Sequence, residues 1–286
     1  MGVFYPLEVK AKRLWRDANW FASSIAASLG NAEANAFYRK IKAEAYLPDE
    51  LIRVLPNRNV IYVVVPKAAS TRIRTLLAKV GGQYSRRLKA RGPRKFREPQ
   101  GLRSMTVSSF YELATSPKTF RFSFVRNPYD RLLSGWANKF QGKPLIMGAP
   151  GAPEVDDYLR RRAQIDSALP AGADKTLSFP DFVIFATSSA TTRSDPHLQL
   201  QDDILSVPGI ELEFVGRMER FNEDCAYVLD RIGATDDIKH EATNRVNPSR
   251  HGTLLDYYTS EMAERVYRAY ERDFDRFGYS RHSLGV

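Results

Sequence analysis

Val60-Ile61-Tyr62-Val63-Val64-Val65-Pro66-Lys67-Ala68-Ala69-Ser70-Thr71-Arg72 is the stretch that decides the fold. Its first six residues are apolar and, Tyr62 apart, β-branched. Such a run suits a strand buried on both faces, as in a parallel sheet. Pro66 ends it. Past the small residues, Ile73, Leu76, Leu77 and Val80 recur at helical spacing, and Gly81-Gly82 stops the helix. The order is strand, tight loop, helix. Small side chains in the loop let the backbone approach a ligand closely, and the first N–H groups of the helix attract negative charge. Lys67 adds a flexible point charge, while Ser70 and Thr71 add donors. The segment is not a Walker A loop, because it has no glycine and Lys67 precedes Ser70 by three residues. Alone, it is equally an ordinary surface turn with a solvated lysine.

A second strand, Phe120-Arg121-Phe122-Ser123-Phe124-Val125, ends at Arg126, and Pro128 opens a helix to about Phe140. A P-loop NTPase usually ends a core strand in Asp, to hold Mg²⁺. Here the sign is reversed, and an arginine in that place suggests bidentate capture of phosphate without metal. Ser134 lies eight residues on, a spacing from which a side chain can return to the same ligand.

The remaining chain reads as follows. Residues 107–114 form a short helix, and Ser178-Phe179-Pro180-Asp181 is a helix start. A short strand at 213–216 precedes a helix from about Phe221 to Ile232, and Thr259 caps a final helix containing Met262, Val266, Tyr270 and Phe274. Residues 83–105 are basic and irregular, and 142–176 form a long loop rich in Pro and Gly. Residues 1–57 read as a helical N-terminal extension to a domain at 58–286. Strands alternating with helices imply an α/β fold with a largely parallel sheet.

The net charge of +10 favours anionic partners. The single cysteine, Cys225, excludes an internal disulfide and any cysteine-built zinc or iron–sulfur site. It reads as a buried thiol in a helix. No stretch reaches roughly 18 apolar residues without a charge, and the N-terminus lacks the apolar core of a signal peptide. Pro6 stands where myristoylation wants Ser or Thr. The expectation is a soluble, cytoplasmic protein. The basic run at 10–16 could make peripheral membrane contact, but a solvated helix face packed by Leu14, Trp15 and Trp20 is the plainer reading.

Taken together, the two segments resemble a known family. Val65-Pro66-Lys67-Ala68-Ala69-Ser70-Thr71 is similar to the 5′-phosphosulfate loop of carbohydrate sulfotransferases of the chondroitin and HNK-1 type, sulfotransferase family 2. Phe124-Val125-Arg126-Asn127-Pro128-Tyr129-Asp130-Arg131-Leu132-Leu133-Ser134 resembles their 3′-phosphate motif, and the likeness continues through Asn138-Lys139-Phe140. Downstream, 178–183 resembles the family's Phe-acid-acid-Phe helix start. His197-Leu198-Gln199-Leu200-Gln201 resembles its His-Trp-x-x-Gln segment, with Leu198 in place of tryptophan. Residues 214–219 and the C-terminal helix also match, so the resemblance covers roughly residues 58–280.

The resemblance implies a P-loop-NTPase-like, three-layer α/β fold with a central, mostly parallel sheet flanked by helices. It implies 3′-phosphoadenosine-5′-phosphosulfate (PAPS) as donor, PAP as product and no metal. Lys67 would stabilise charge on the bridging and leaving oxygens. Ala68, Ala69, Ser70, Thr71 and Arg72 would hold the 5′-phosphate, and Arg126 and Ser134 the 3′-phosphate. Arg250, in a late basic loop, would close over the donor. His197 is the choice for general base among His197, His240, His251 and His282, with a structural role in orienting its loop as the alternative. Arg131 and Lys139 either steer a substrate or are solvated helix positions. The acceptor implied is a carbohydrate, with the charge mildly favouring an acidic glycan and a lipid-linked one also compatible. A small-molecule kinase is argued against by the missing Walker glycines. A nucleic-acid-binding protein lacks any helix-turn-helix, zinc or RNA-binding signature. A catalytically inert PAPS-fold protein is the remaining alternative.

Overall fold

Strand β2 (Val60–Val63) lies between β1 (Ile52–Leu55) and β4 (Phe120–Val125). The computed structural model describes residues 31–82, 99–141, 177–188, 195–244 and 253–284. The sheet has the order β3-β1-β2-β4-β5, with β3 at Gln100–Gly101 and β5 at Phe214–Arg217. β2, β4 and β5 run parallel, whereas β1 is antiparallel to both β2 and β3. Only β1 therefore opposes the common direction, and the sheet is mixed but mostly parallel. Every residue of β2 is buried, as its unbroken apolar run requires. The run continues to Val65, but β2 itself ends at Val63, where its pairing with Ile52 and Ser123 runs out.

The described residues fall into two compact units, interleaved along the chain. The first takes those of Met1–Val65, Ala69–Val125 and Asp203–Val246; the second takes those of Pro66–Ala68, Arg126–Asp202 and Asn247–Val286.

The first unit holds the sheet and its flanking helices: α1 (Ala32–Glu44), α2 (Pro48–Leu51), α3 (Ser70–Val80) and α4 (Val107–Thr115). After β5 come α8 (Phe221–Arg231) and α9 (Asp236–Asn244). Asn31 caps α1, accepting the N–H of Ala34, and Thr106 caps α4, accepting that of Ser109. Helix α1 packs on α4 through Phe37 and Tyr38 against Phe110. Residues 52–55, expected within a helical extension, are instead a strand of the sheet, so position 57/58 falls between two paired strands. Residues 1–30 lie outside the described set.

The second unit is built from α5 (Pro128–Lys139), α6 (Phe179–Ala186) and α10 (Ser260–Phe277), with α7 (Gln201–Leu205) beginning in it. Pro128 sits in the first turn of α5 and Asn127 caps it, as Ser178 caps α6 and Thr259 caps α10. The three long helices share an aromatic core that includes Tyr129, Phe179, Phe182, Tyr258, Tyr270 and Phe274. Gly278 ends α10 in the left-handed conformation. Among the described residues no helix is long and apolar enough to cross a membrane.

Candidate active site

The loop between β2 and α3 turns sharply without glycine. Lys67 (φ 71°) and Ala69 (φ 55°) both adopt left-handed backbone, which costs an L-residue roughly 1 kcal/mol or more. Ala69 is the N-cap of α3 and provides no side-chain cap. Helix α3 runs for 11 residues, so its N-terminus carries a full macrodipole, and among the described residues no side chain caps its first backbone donors. Among the described residues the hydroxyls of Ser70 and Thr71 make no hydrogen bond. Arg72 is differently engaged. Its guanidinium lies 4.4 Å over the Phe221 ring and Nη2 donates to the carbonyl of Ala242. The side chain thus braces α3 against α8 and α9, which leaves its backbone as the part suited to an anion.

In the second unit, the carbonyl of Lys67 accepts from Nη1 of Arg126 at 3.3 Å. Arg126 is nearly buried and its Nε donates to Asp130 Oδ2 at 2.7 Å, one helical turn on. Lys67 and Arg126, assigned to opposite ends of a donor, are therefore neighbours through backbone and guanidinium. Ser134 sits half-buried on α5, and its hydroxyl makes no hydrogen bond among the described residues. Arg250 lies outside the described residues.

Arg131 is neither solvated nor a surface steering charge. It is 2% exposed, and its guanidinium spans three carbonyls: Nε to Pro66 at 3.1 Å, Nη1 to Gln199 at 2.7 Å and Nη2 to Pro196 at 3.2 Å. One planar cation thus fixes the start of the 66–69 turn and the segment that carries His197. Asp195, which sequence reasoning passed over, accepts both the backbone N–H of His197 and a bond from its Nδ1, each at 2.8 Å. A proton held on Nδ1 by that carboxylate leaves Nε2 as the basic nitrogen. The signal was present in Asp195-Pro196-His197, since an aspartate commonly accepts from the N–H two residues ahead.

Two further residues were missed. Gln201 and Asp273 are both fully buried: Asp273 accepts the backbone N–H of Gln201, and the Gln201 side chain is hydrogen-bonded to both backbone groups of Arg126. Gln201 closes the segment that resembles the family's His-Trp-x-x-Gln, and Asp273 lies in the matching C-terminal helix, but that likeness shows neither their burial nor their partners.

In the first unit the uncapped N-terminus of α3, with the hydroxyls of Ser70 and Thr71, has the chemistry of an anion site, and in the second unit the cations Lys67 and Arg126 do. The model of the Sulfotransferase family matches residues 51–280. Carbohydrate sulfotransferase 11 of Danio rerio is 25% identical over 250 residues, covering 84% of this chain and 70% of that protein. Carbohydrate sulfotransferase 14 of Danio rerio is 30% identical over 165 residues, covering 56% and 44%. Carbohydrate sulfotransferase 10 of Homo sapiens is 24% identical over 253 residues, covering 80% and 67%. No solved structure matches. With a family match that spans most of its length, this chain belongs to the sulfotransferase family.

Proposed function

We propose that this protein transfers a sulfuryl group from PAPS to a hydroxyl of a carbohydrate, releasing PAP. The family membership and the names of the relatives support the donor and the acceptor class. The glycine-free turn at 66–69, opening an uncapped 11-residue helix, is the observation that carries the donor assignment. A P-loop-like three-layer fold is the architecture consistent with that strand, turn and helix.

In this reading the backbone of 68–72 with Ser70 and Thr71 binds the 5′-phosphate. Arg126 and Ser134 bind the 3′-phosphate, the group that separates this donor from ordinary adenylates. Arg250 closes over it. The acceptor oxygen forms a bond to sulfur while the bond from sulfur to the 5′-phosphate oxygen breaks. Lys67 stabilises the charge that builds on the bridging oxygen. His197, oriented by Asp195, takes the acceptor's proton at Nε2. Positioning and charge stabilisation supply most of the rate. The positive charge favours an acidic glycan acceptor.

Calorimetry with PAP and turnover of labelled PAPS against a glycan panel test this. Arg126→Ala should weaken PAP binding by about 2–3 kcal/mol, and Lys67→Ala should abolish turnover while the chain stays folded. Equal PAP affinity in the Arg126 variant would remove the 3′-phosphate assignment. Unchanged kcat in His197→Ala would remove the base.

A further inference from the structure

Arg126 follows the last paired residue of β4, so its own peptide groups lie past the sheet's ladder. They are held instead by one side chain. Gln201 Oε1 accepts the N–H of Arg126 at 3.0 Å, and Gln201 Nε2 donates to its C=O at 2.9 Å. A primary amide is the side chain that offers an acceptor and a donor in one plane, so both backbone groups of a single residue are satisfied at once. A carboxylate would supply only acceptors, and a lysine or arginine only donors.

Gln201 is in turn fixed by Asp273 of α10. Asp273 Oδ2 accepts the backbone N–H of Gln201 at 2.9 Å, and its Oδ1 accepts that of Asp202 at 2.8 Å. Gln201 Nε2 also lies 3.4 Å from Asp273 Oδ2, which sets the amide's orientation with nitrogen toward the carboxylate. Both residues are 0% exposed. Burying a carboxylate and an amide is costly unless every group is satisfied, and an apolar pair would fill the space at less cost. The arrangement serves to hold one peptide in place.

We infer that Gln201, locked by Asp273, is a positioning residue for the donor's 3′-phosphate: it fixes the backbone from which the Arg126 guanidinium projects. The inference rests on the proposed role of Arg126. Removal of the amide frees the Arg126 peptide to rotate, and a guanidinium displaced by even half an ångström loses bidentate geometry on a phosphate. The effect is confined to the 3′ end of the nucleotide.

Affinity for PAP and for 5′-AMP, which lacks the 3′-phosphate, is measured by calorimetry on the full chain. The variants are Gln201→Met, Gln201→Glu, Arg126→Ala and the Gln201→Met/Arg126→Ala double. Gln201→Met should bind PAP about tenfold more weakly with AMP affinity unchanged. Gln201→Glu, which keeps the acceptor and loses the donor, should fall between it and the parent. The double should bind no more weakly than Arg126→Ala alone, because the two act through one guanidinium. If Arg126→Ala loses the preference for PAP over AMP while both Gln201 variants keep it, or if no Gln201 variant folds, Gln201 is structural only and the inference is overturned. If Arg126→Ala itself keeps that preference, the 3′-phosphate reading of Arg126 fails instead.

Discussion

Tyr62 stands at the centre of β2, fully buried and stacked on Phe122 with ring centroids 5.0 Å apart. Its hydroxyl meets no hydrogen-bond partner among the described residues, and burial pushes its phenol well above the ordinary tyrosine range. Removing an unsatisfied buried hydroxyl spares its desolvation cost, so Tyr62→Phe should leave stability unchanged or raise it by about 1 kcal/mol in urea denaturation. A loss of similar size would mean that the hydroxyl has a bridging partner. The sequence shows that residue 62 is inward, since it interrupts a β-branched run, but not that its oxygen is stranded. The same limit applied to Arg131. A guanidinium on a helix is usually solvated, and here the carbonyls of Pro66, Pro196 and Gln199, all distant from it in sequence, help to make its burial possible.

Among elements, β4 was legible to the residue, because alternating and aromatic residues there are bounded by Thr119 and Arg126. The caps Ser178 and Thr259 and the proline opening α5 were legible too, since a helix start is written in a few adjacent residues. Strand β1 was not. Its four residues have no turn signal of their own, and pairing with β2 and β3 overrides their local preference. Strand β5 gives a sharper case. Gly216 pairs with Phe124 in the parallel ladder, and a Cβ at 216 would lie 2.6 Å from Phe124 Cε1. That ring cannot easily retreat, with Phe221 5.6 Å and Phe122 6.3 Å from it, centroid to centroid. Gly216→Ala should therefore cost about 2 kcal/mol, read as a lower urea midpoint at unchanged m-value. A variant as stable as the parent would show that the aromatic cluster shifts at no cost.

At the scale of the whole molecule, Asp273 couples folding to pH. Burial lifts its carboxyl above the usual aspartate range, opposed by the Arg131 guanidinium and by the N–H groups of Asp202 and Gln201. A carboxyl whose folded value is raised contributes stability that is fully present below its unfolded value, about 3.9, and lost as pH rises through the folded value. The stability of the parent minus that of Asp273→Asn, measured by urea denaturation from about pH 4 to about pH 7, should therefore shrink as pH rises. A difference that grows instead would mean that the hydrogen bonds to Asp273 outweigh its burial. The sequence by itself determined the strand–turn–helix at 60–80, the strand-end arginine at 126 and the family that these segments resemble, because each is a pattern of neighbours in the chain. Only the tertiary structure decided that Arg72 turns to Phe221 and that Arg131, Gln201 and Asp273 lie buried around the Lys67 and Arg126 backbone. Burial of a polar side chain depends on partners supplied from distant positions, and no local spacing encodes them.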